Sequence, residues 1–165
     1  MLALVLFAGF LAGTATALVL VIRGLRKALG RGRHLPGQAL RAAAFVLGGA
    51  AVGVYAWGMA HAGLAVLDAE DGGTGSSPIR PCRQADPERA VHVVDYHVGF
   101  VPLDFECRLS GGGSYTASTV PGYVNPATAV LGLAGIVCGI FSAADAERRR
   151  TPRTSPTPPS SKGDS

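Results

Sequence analysis

The segment Ala42–Leu67, AAAFVLGGAAVGVYAWGMAHAGLAVL, lies between Arg41 and Asp68 and contains no charged residue. At roughly 1.5 Å per residue, a helix of this length exceeds the roughly 30 Å hydrocarbon core of a bilayer. A soluble helix of this length would show charged residues on one face, and none is present. The segment reads as a membrane-spanning helix, and its flanks set the side on which each neighbouring segment lies.

Two further apolar blocks accompany it. Met1–Ile22 carries no side-chain charge and ends abruptly at Arg23, and Ala127–Ala144, which Pro126 opens, runs until Asp145. The first is long enough for one crossing, and the third is near the lower limit. A cleaved secretory signal is the rival for the first block, because Ala15-Thr16-Ala17 has the small residues of a cleavage site. The charge order opposes it. Signal peptides place positive charge before the apolar run, whereas here the cluster follows.

Between the first two blocks, residues 23–41 hold Arg23, Arg26, Lys27, Arg31, Arg33 and Arg41 with no acidic residue. Gly30, Gly32, Pro36 and Gly37 predict a turn there. Short loops rich in Lys and Arg stay in the cytoplasm, which puts the N-terminus and the long second connection outside. Arg148, Arg149 and Arg150 after the third block give the same orientation independently. The expected architecture is therefore an α-helical membrane protein of three spans, N-terminus out and C-terminus in, in a cell membrane. The net charge of +4 and pI near 9.3 then report topology and contact with lipid headgroups, not nucleic-acid binding. The tail 145–165, rich in Pro, Ser, Thr and charge, is expected to be disordered.

Each apolar block has two glycines four apart: Gly9 and Gly13, Gly49 and Gly53, Gly135 and Gly139. This spacing leaves a bare stripe on which a second helix backbone can approach closely, as expected of a compact bundle or an oligomer. With 23 glycines in the chain, some such pairs arise by chance. His61 is the only ionisable side chain within a block and lies near its outer end, where headgroups or water can solvate it.

The connection 68–125 holds eight acidic residues and four arginines. Its first part, Asp68–Ser77, predicts a flexible tether. Ala90–Val101 predicts a strand, and Asp104–Leu109 and Ser114–Val120 flank the turn signal Ser110–Gly113, predicting a hairpin. Cys82 and Cys107 lie on the oxidising side of this topology and predict a disulfide that staples a mini-domain too small to hold itself together. No Cys-x-x-Cys spacing points to redox chemistry, and Cys138, within the third apolar block, reads as an inert small hydrophobe. On a strand, Asp95 and His97 share a face and His92 does not, so these three do not converge on a metal. No nucleophile set, phosphate loop or carboxylate pair suggests catalysis, and no cofactor is expected.

Pro102-Leu103, Cys107, Gly112-Gly113-Ser114-Tyr115 and Val120-Pro121-Gly122-Tyr123-Val124-Asn125-Pro126 precede the last apolar block. In this stretch the chain resembles small, functionally uncharacterised integral membrane proteins of actinobacteria, whose paired-cysteine outer loop ends in a similar Tyr-Val-Asn-Pro run. The resemblance implies a membrane location and a structured outer loop, and it carries no activity. Functionally the sequence suggests a non-enzymatic membrane protein that presents its stapled loop to a protein or envelope partner. The alternative is an accessory subunit of a transporter or membrane complex, packing through its glycine-lined faces.

Overall fold

The computed structural model describes residues 1–30, 36–70 and 79–150. They form α1 (Leu2–Leu29), α2 (Pro36–Glu70), α3 (Arg80–Ala85), α4 (Pro87–Ala90), β1 (Val93–Phe100), β2 (Leu103–Leu109), β3 (Ser114–Ala117) and α5 (Val124–Arg150). Helices α1, α2 and α5 are each long and apolar enough to cross a membrane, the make-up of a multi-pass membrane protein. Leu11, Leu18 and Ile22 on α1, and Leu133, Ile136 and Phe141 on α5, stand exposed as lipid-facing side chains do.

Helix α2 is central, with α1 packed on one side and α5 on another. Small residues set the α1–α2 contact. A Cβ built on Gly13 would fall 2.9 Å from Ala56 Cβ, one on Gly49 3.0 Å from the Ala17 carbonyl oxygen, and one on Gly24 3.0 Å from that of Ala42. The helices are therefore antiparallel and close, held by van der Waals contact along backbone-exposing stripes. On the other side a Cβ on Gly135 would come 3.2 Å from Gly48 N, so α5 approaches α2 backbone to backbone.

All three helices outrun their apolar blocks. Residues Arg23–Leu29 and Pro36–Arg41, expected within a basic loop, are helical, as are Asp68–Glu70 and Asp145–Arg150. Arg, Lys, Leu, Ala and Glu favour helix whether or not lipid surrounds them, and Arg26 and Lys27 complement the α1 C-terminal dipole. The Arg149–Asp145 ion pair, 2.9 Å at i,i+4, spans one turn of the α5 extension. Gly37 lies inside α2, against Asp145 of α5. The expected turn at Gly32, most of the expected tether and the tail from Thr151 lie outside the described residues.

The sheet is a three-stranded antiparallel meander, β1-β2-β3. Strand β1 starts at Val93 rather than Ala90, because Asp86-Pro87-Glu88 starts α4. Asp86 Oδ1 accepts from the backbone N–H of Glu88 and Arg89 at 3.2 and 3.1 Å, and Pro87 suits the first helical turn. Strand β3 stops at Ala117, short of the expected Val120. Beyond Phe105, which pairs with Ala117, the free edge of β2 is taken at Leu103 by the Asn125 side chain. Asn125 Oδ1 accepts from Leu103 N–H at 2.9 Å, and Nδ2 donates to Leu103 O at 3.0 Å.

This amide pair places the sheet on the end of α5. Leu103 and Val124, both fully buried, meet α2 at Gly58, where a Cβ would fall 2.7 Å from each. Gly58→Leu is expected to destabilise the protein by about 1–3 kcal/mol through overpacking. Gly48→Ala, whose Cβ meets nothing, is expected to be neutral or to stabilise by up to about 1 kcal/mol through helix propensity. Denaturant unfolding in detergent, followed by Trp57 fluorescence, measures both.

Candidate interaction surface

The sheet owes its shape to the residues on its inner face. A register shift between Val93 and Asp95 reorients β1, after which Tyr96 and Val98 turn inward and Asp95 and His97 outward. Opposite them, Leu103, Phe105 and Cys107 of β2 face inward and are buried. Tyr96 stacks on Phe105 with ring centroids 5.1 Å apart, and this face joins Ala62, Ala65 and Val66 of α2 and Leu6 of α1 in one core. Tyr96 also donates to Glu70 Oε1 at 3.1 Å, linking the middle of β1 to the end of α2.

Cys82 and Cys107 form a disulfide, both fully buried, with Cα atoms 6.0 Å apart. The bridge ties α3 to the central strand, and Tyr115 of β3 donates to Cys82 O at 3.0 Å beside it. Closing this loop stabilises the folded form by about 3 kcal/mol in the chain-entropy model. Cys138, free and half-buried on α5, takes no part.

The outer face of the sheet is polar and solvent-exposed. Register sets Asp95 opposite Arg108, His97 opposite Glu106, and Glu106 opposite Thr116, while Ser114 Oγ approaches Glu106 Oε1 at 3.4 Å. Charged and hydrogen-bonding groups of both signs thus alternate on a rigid platform, which can make specific polar contacts with a macromolecule. His92 lies just before β1 and is also exposed, so His92, Asp95 and His97 do not converge. No cluster of metal-ligating side chains occurs among the described residues. His61 packs its ring edge to face with Trp57, 4.8 Å between centroids, on α2.

The glycines singled out by spacing fall in different surroundings. Gly9 faces the Met59 side chain, Gly13 faces Ala56, Gly49 faces Ala17, Leu20 and Val21, and Gly135 faces Ala44 and Gly48. A Cβ at Gly53 would sit at ordinary contact distance from Ala17, and one at Gly139 would meet nothing within 4 Å. Two tight helix-packing positions that spacing overlooks are Gly24, beyond the first charge of its block, and Gly58, whose neighbours come from distant segments. Of the basic residues, Lys27 and Arg41 line one notch with Gln38, and Lys27 Nζ lies 4.9 Å from the Phe45 ring centroid. Arg23 and Arg26 are exposed on α1 and Arg148, Arg149 and Arg150 on α5, while Arg31 and Arg33 lie outside the described residues.

No protein-family model, curated protein or solved structure matches the chain.

Two tyrosines give the sheet a pH signature. Burial, the hydrogen bond to Glu70 and the charges of Glu70 and Asp95 all push Tyr96 above its ordinary value of 10.0. Burial and Asp86 push Tyr115 the same way, against Arg89. The folded protein holds these protons more tightly than the unfolded chain. Their stabilisation is therefore complete below about pH 10 and falls as pH rises through the raised folded values. Tyr96→Phe is expected to flatten the alkaline limb of the stability curve, measured by unfolding between neutral pH and pH 11. Cys82→Ser with Cys107→Ser is expected to cost about 3 kcal/mol and to expose the 79–120 region to limited proteolysis.

Proposed function

We propose that this is a non-enzymatic, three-span plasma-membrane protein whose cystine-stapled sheet is presented outside the cell to a protein or envelope partner. The supporting observation is the division of the sheet's two faces. One face is committed to α2 and the disulfide, and the other carries Asp95, His97, Glu106, Arg108 and Thr116 into solvent on a rigid frame. A connection that only joined two spans would need neither the frame nor the staple. The arginine-rich ends of the helices support the orientation, N-terminus out and tail in, with the sheet in an oxidising compartment. The Tyr123–Pro126 run adds an actinobacterial setting.

A second reading has its own observation. Gly132 and Gly139 lie seven apart on one stripe of α5, and a Cβ on either would meet nothing within 4 Å. This stripe favours a partner helix in a transporter or other membrane complex, with the sheet acting as a cap.

The deciding experiment is cross-linking in intact membranes with a photoreactive residue at His97 or Thr116. The leading reading expects adducts that disappear in a Glu106→Arg, Arg108→Glu variant and survive Gly132→Leu with Gly139→Leu. The second expects the reverse. Adducts unaffected by either pair would exclude both. Topology is read separately. Ser110→Cys in a Cys138→Ala background should react with an impermeant maleimide on whole cells, and labelling only after lysis would invert the orientation.

A further inference from the structure

The turn between β1 and β2 is apolar and exposed. Phe100, Val101 and Pro102 all lie in solvent-accessible positions, with Val101 93% exposed. An apolar tip of this kind on a soluble hairpin would mark a binding surface, and its height along α2 identifies what it meets.

The height follows from contacts. The Phe100 carbonyl accepts from the Tyr55 hydroxyl, and Leu103 packs on Gly58. Tyr55 and Gly58 are far from the sheet-side end of α2 at Glu70. A helical side chain leans toward the N-terminus of its helix, so the Tyr55 hydroxyl meets Phe100 at the level of Tyr55 or nearer Arg41. At the opposite end, Lys27 and Arg41 line a common notch, and Asp145 lies against Gly37, which marks the polar boundary there. From Arg41 to Gly58 is roughly 26 Å of helix axis at 1.5 Å per residue, less than the roughly 30 Å hydrocarbon core. The tip therefore lies at or inside the second boundary of the same bilayer that α1, α2 and α5 cross.

Three neighbours agree with this level. Trp57, next to Gly58, and Tyr123, next to Val124, are both exposed at the height of the tip, where amphipathic rings favour the headgroup region. Asp104 limits the depth. It stands opposite Gly99, one pair above the tip, half-buried, with Gly99 N–H donating to its Oδ1 at 3.2 Å. A carboxylate is costly in hydrocarbon and belongs at or above the headgroups. The sheet, packed on α2 mainly through β2, reaches from the Tyr96–Glu70 hydrogen bond to the Phe100–Tyr55 one, occupying space that α5, starting at Val124, leaves open.

We infer that Phe100, Val101 and Pro102 insert into the adjoining leaflet as a shallow lipid anchor, holding the sheet upright with its polar face away from α2. The occupant is the glycerol and upper acyl region of the bilayer, because the tip continues the lipid-facing surface of the helices. The inference requires that the helices cross a bilayer and does not depend on which side the sheet occupies. The topology experiment and this one therefore fail separately.

The test is a nitroxide attached to Val101→Cys, and in a second protein to His97→Cys, each in a Cys138→Ala background. Both proteins are reconstituted in phosphatidylcholine–phosphatidylglycerol vesicles, with the disulfide verified by non-reducing electrophoresis. Power saturation is measured with oxygen, which concentrates in lipid, and with a nickel chelate, which stays in water. The Val101 site is expected to collide with oxygen and be shielded from nickel, whereas the His97 site shows the opposite. Equal nickel access at both sites overturns the inference. Shielding of the Val101 site from both reagents also overturns it, since a second copy or another protein surface would then cover the tip. Should Val101→Cys fail to fold, Val101→Trp in a Trp57→Phe background, quenched by lipids brominated near the glycerol, gives the same reading. Absence of that quenching is equally fatal.

Discussion

Gly58 is the point on which the two halves of the molecule depend. Its missing side chain admits Leu103 from the sheet and Val124 from the start of α5 to the same site on α2. The Asn125 amide then joins those two segments through both backbone groups of Leu103. Without a bare backbone there, Leu103 and Val124 could not both seat against the same turn of α2.

This constraint explains the unequal placement of the helices. The α1 contacts run along α2 from Gly24 at Ala42 to Leu6 near Gly63, whereas α5 begins only at Gly58. The sheet fills the remaining length of α2, so one structure is a helical bundle at its arginine-rich end and a mixed helix–sheet assembly at the other. Within lipid, burial supplies little drive for helices to associate, and close backbone approach through glycine and alanine takes its place. At the sheet end, ordinary apolar burial returns, with Phe105, Leu103 and the Cys82–Cys107 bridge removed from solvent. The disulfide belongs to this second regime, where the apolar core is small and a covalent tie has most effect.

The division of faces gives the sheet its functional interest. Tyr96 is held by a ring stack and by Glu70, and Tyr115 by the Cys82 carbonyl, so the inner face is fully engaged. Asp95, His97, Glu106 and Arg108 are left on a surface whose geometry the staple keeps constant. A rigid polar surface loses less entropy on binding than a flexible loop does.

Much of this was legible in the chain. Uninterrupted apolar runs of membrane length can satisfy their backbone in lipid only as helices, so α1, α2 and α5 follow from composition. Alternation and the Ser110–Gly113 turn mark the hairpin, and paired cysteines in a small connection mark the staple. Asp86-Pro87-Glu88 carried a readable cap signal for α4 that the strand pattern obscured. The helices end beyond the first charged residues because charge marks the edge of lipid, whereas helix propensity continues past it. Which glycines matter was decided only by the tertiary structure. Spacing of four is a property of one helix, whereas the demand for a bare backbone comes from whatever packs against it. Gly139 meets nothing, and Gly58 meets two segments that are distant in sequence. The height of the Phe100–Pro102 turn has the same origin. It depends on contacts to Tyr55 and Gly58, and no local pattern around residue 100 encodes a distance along another helix.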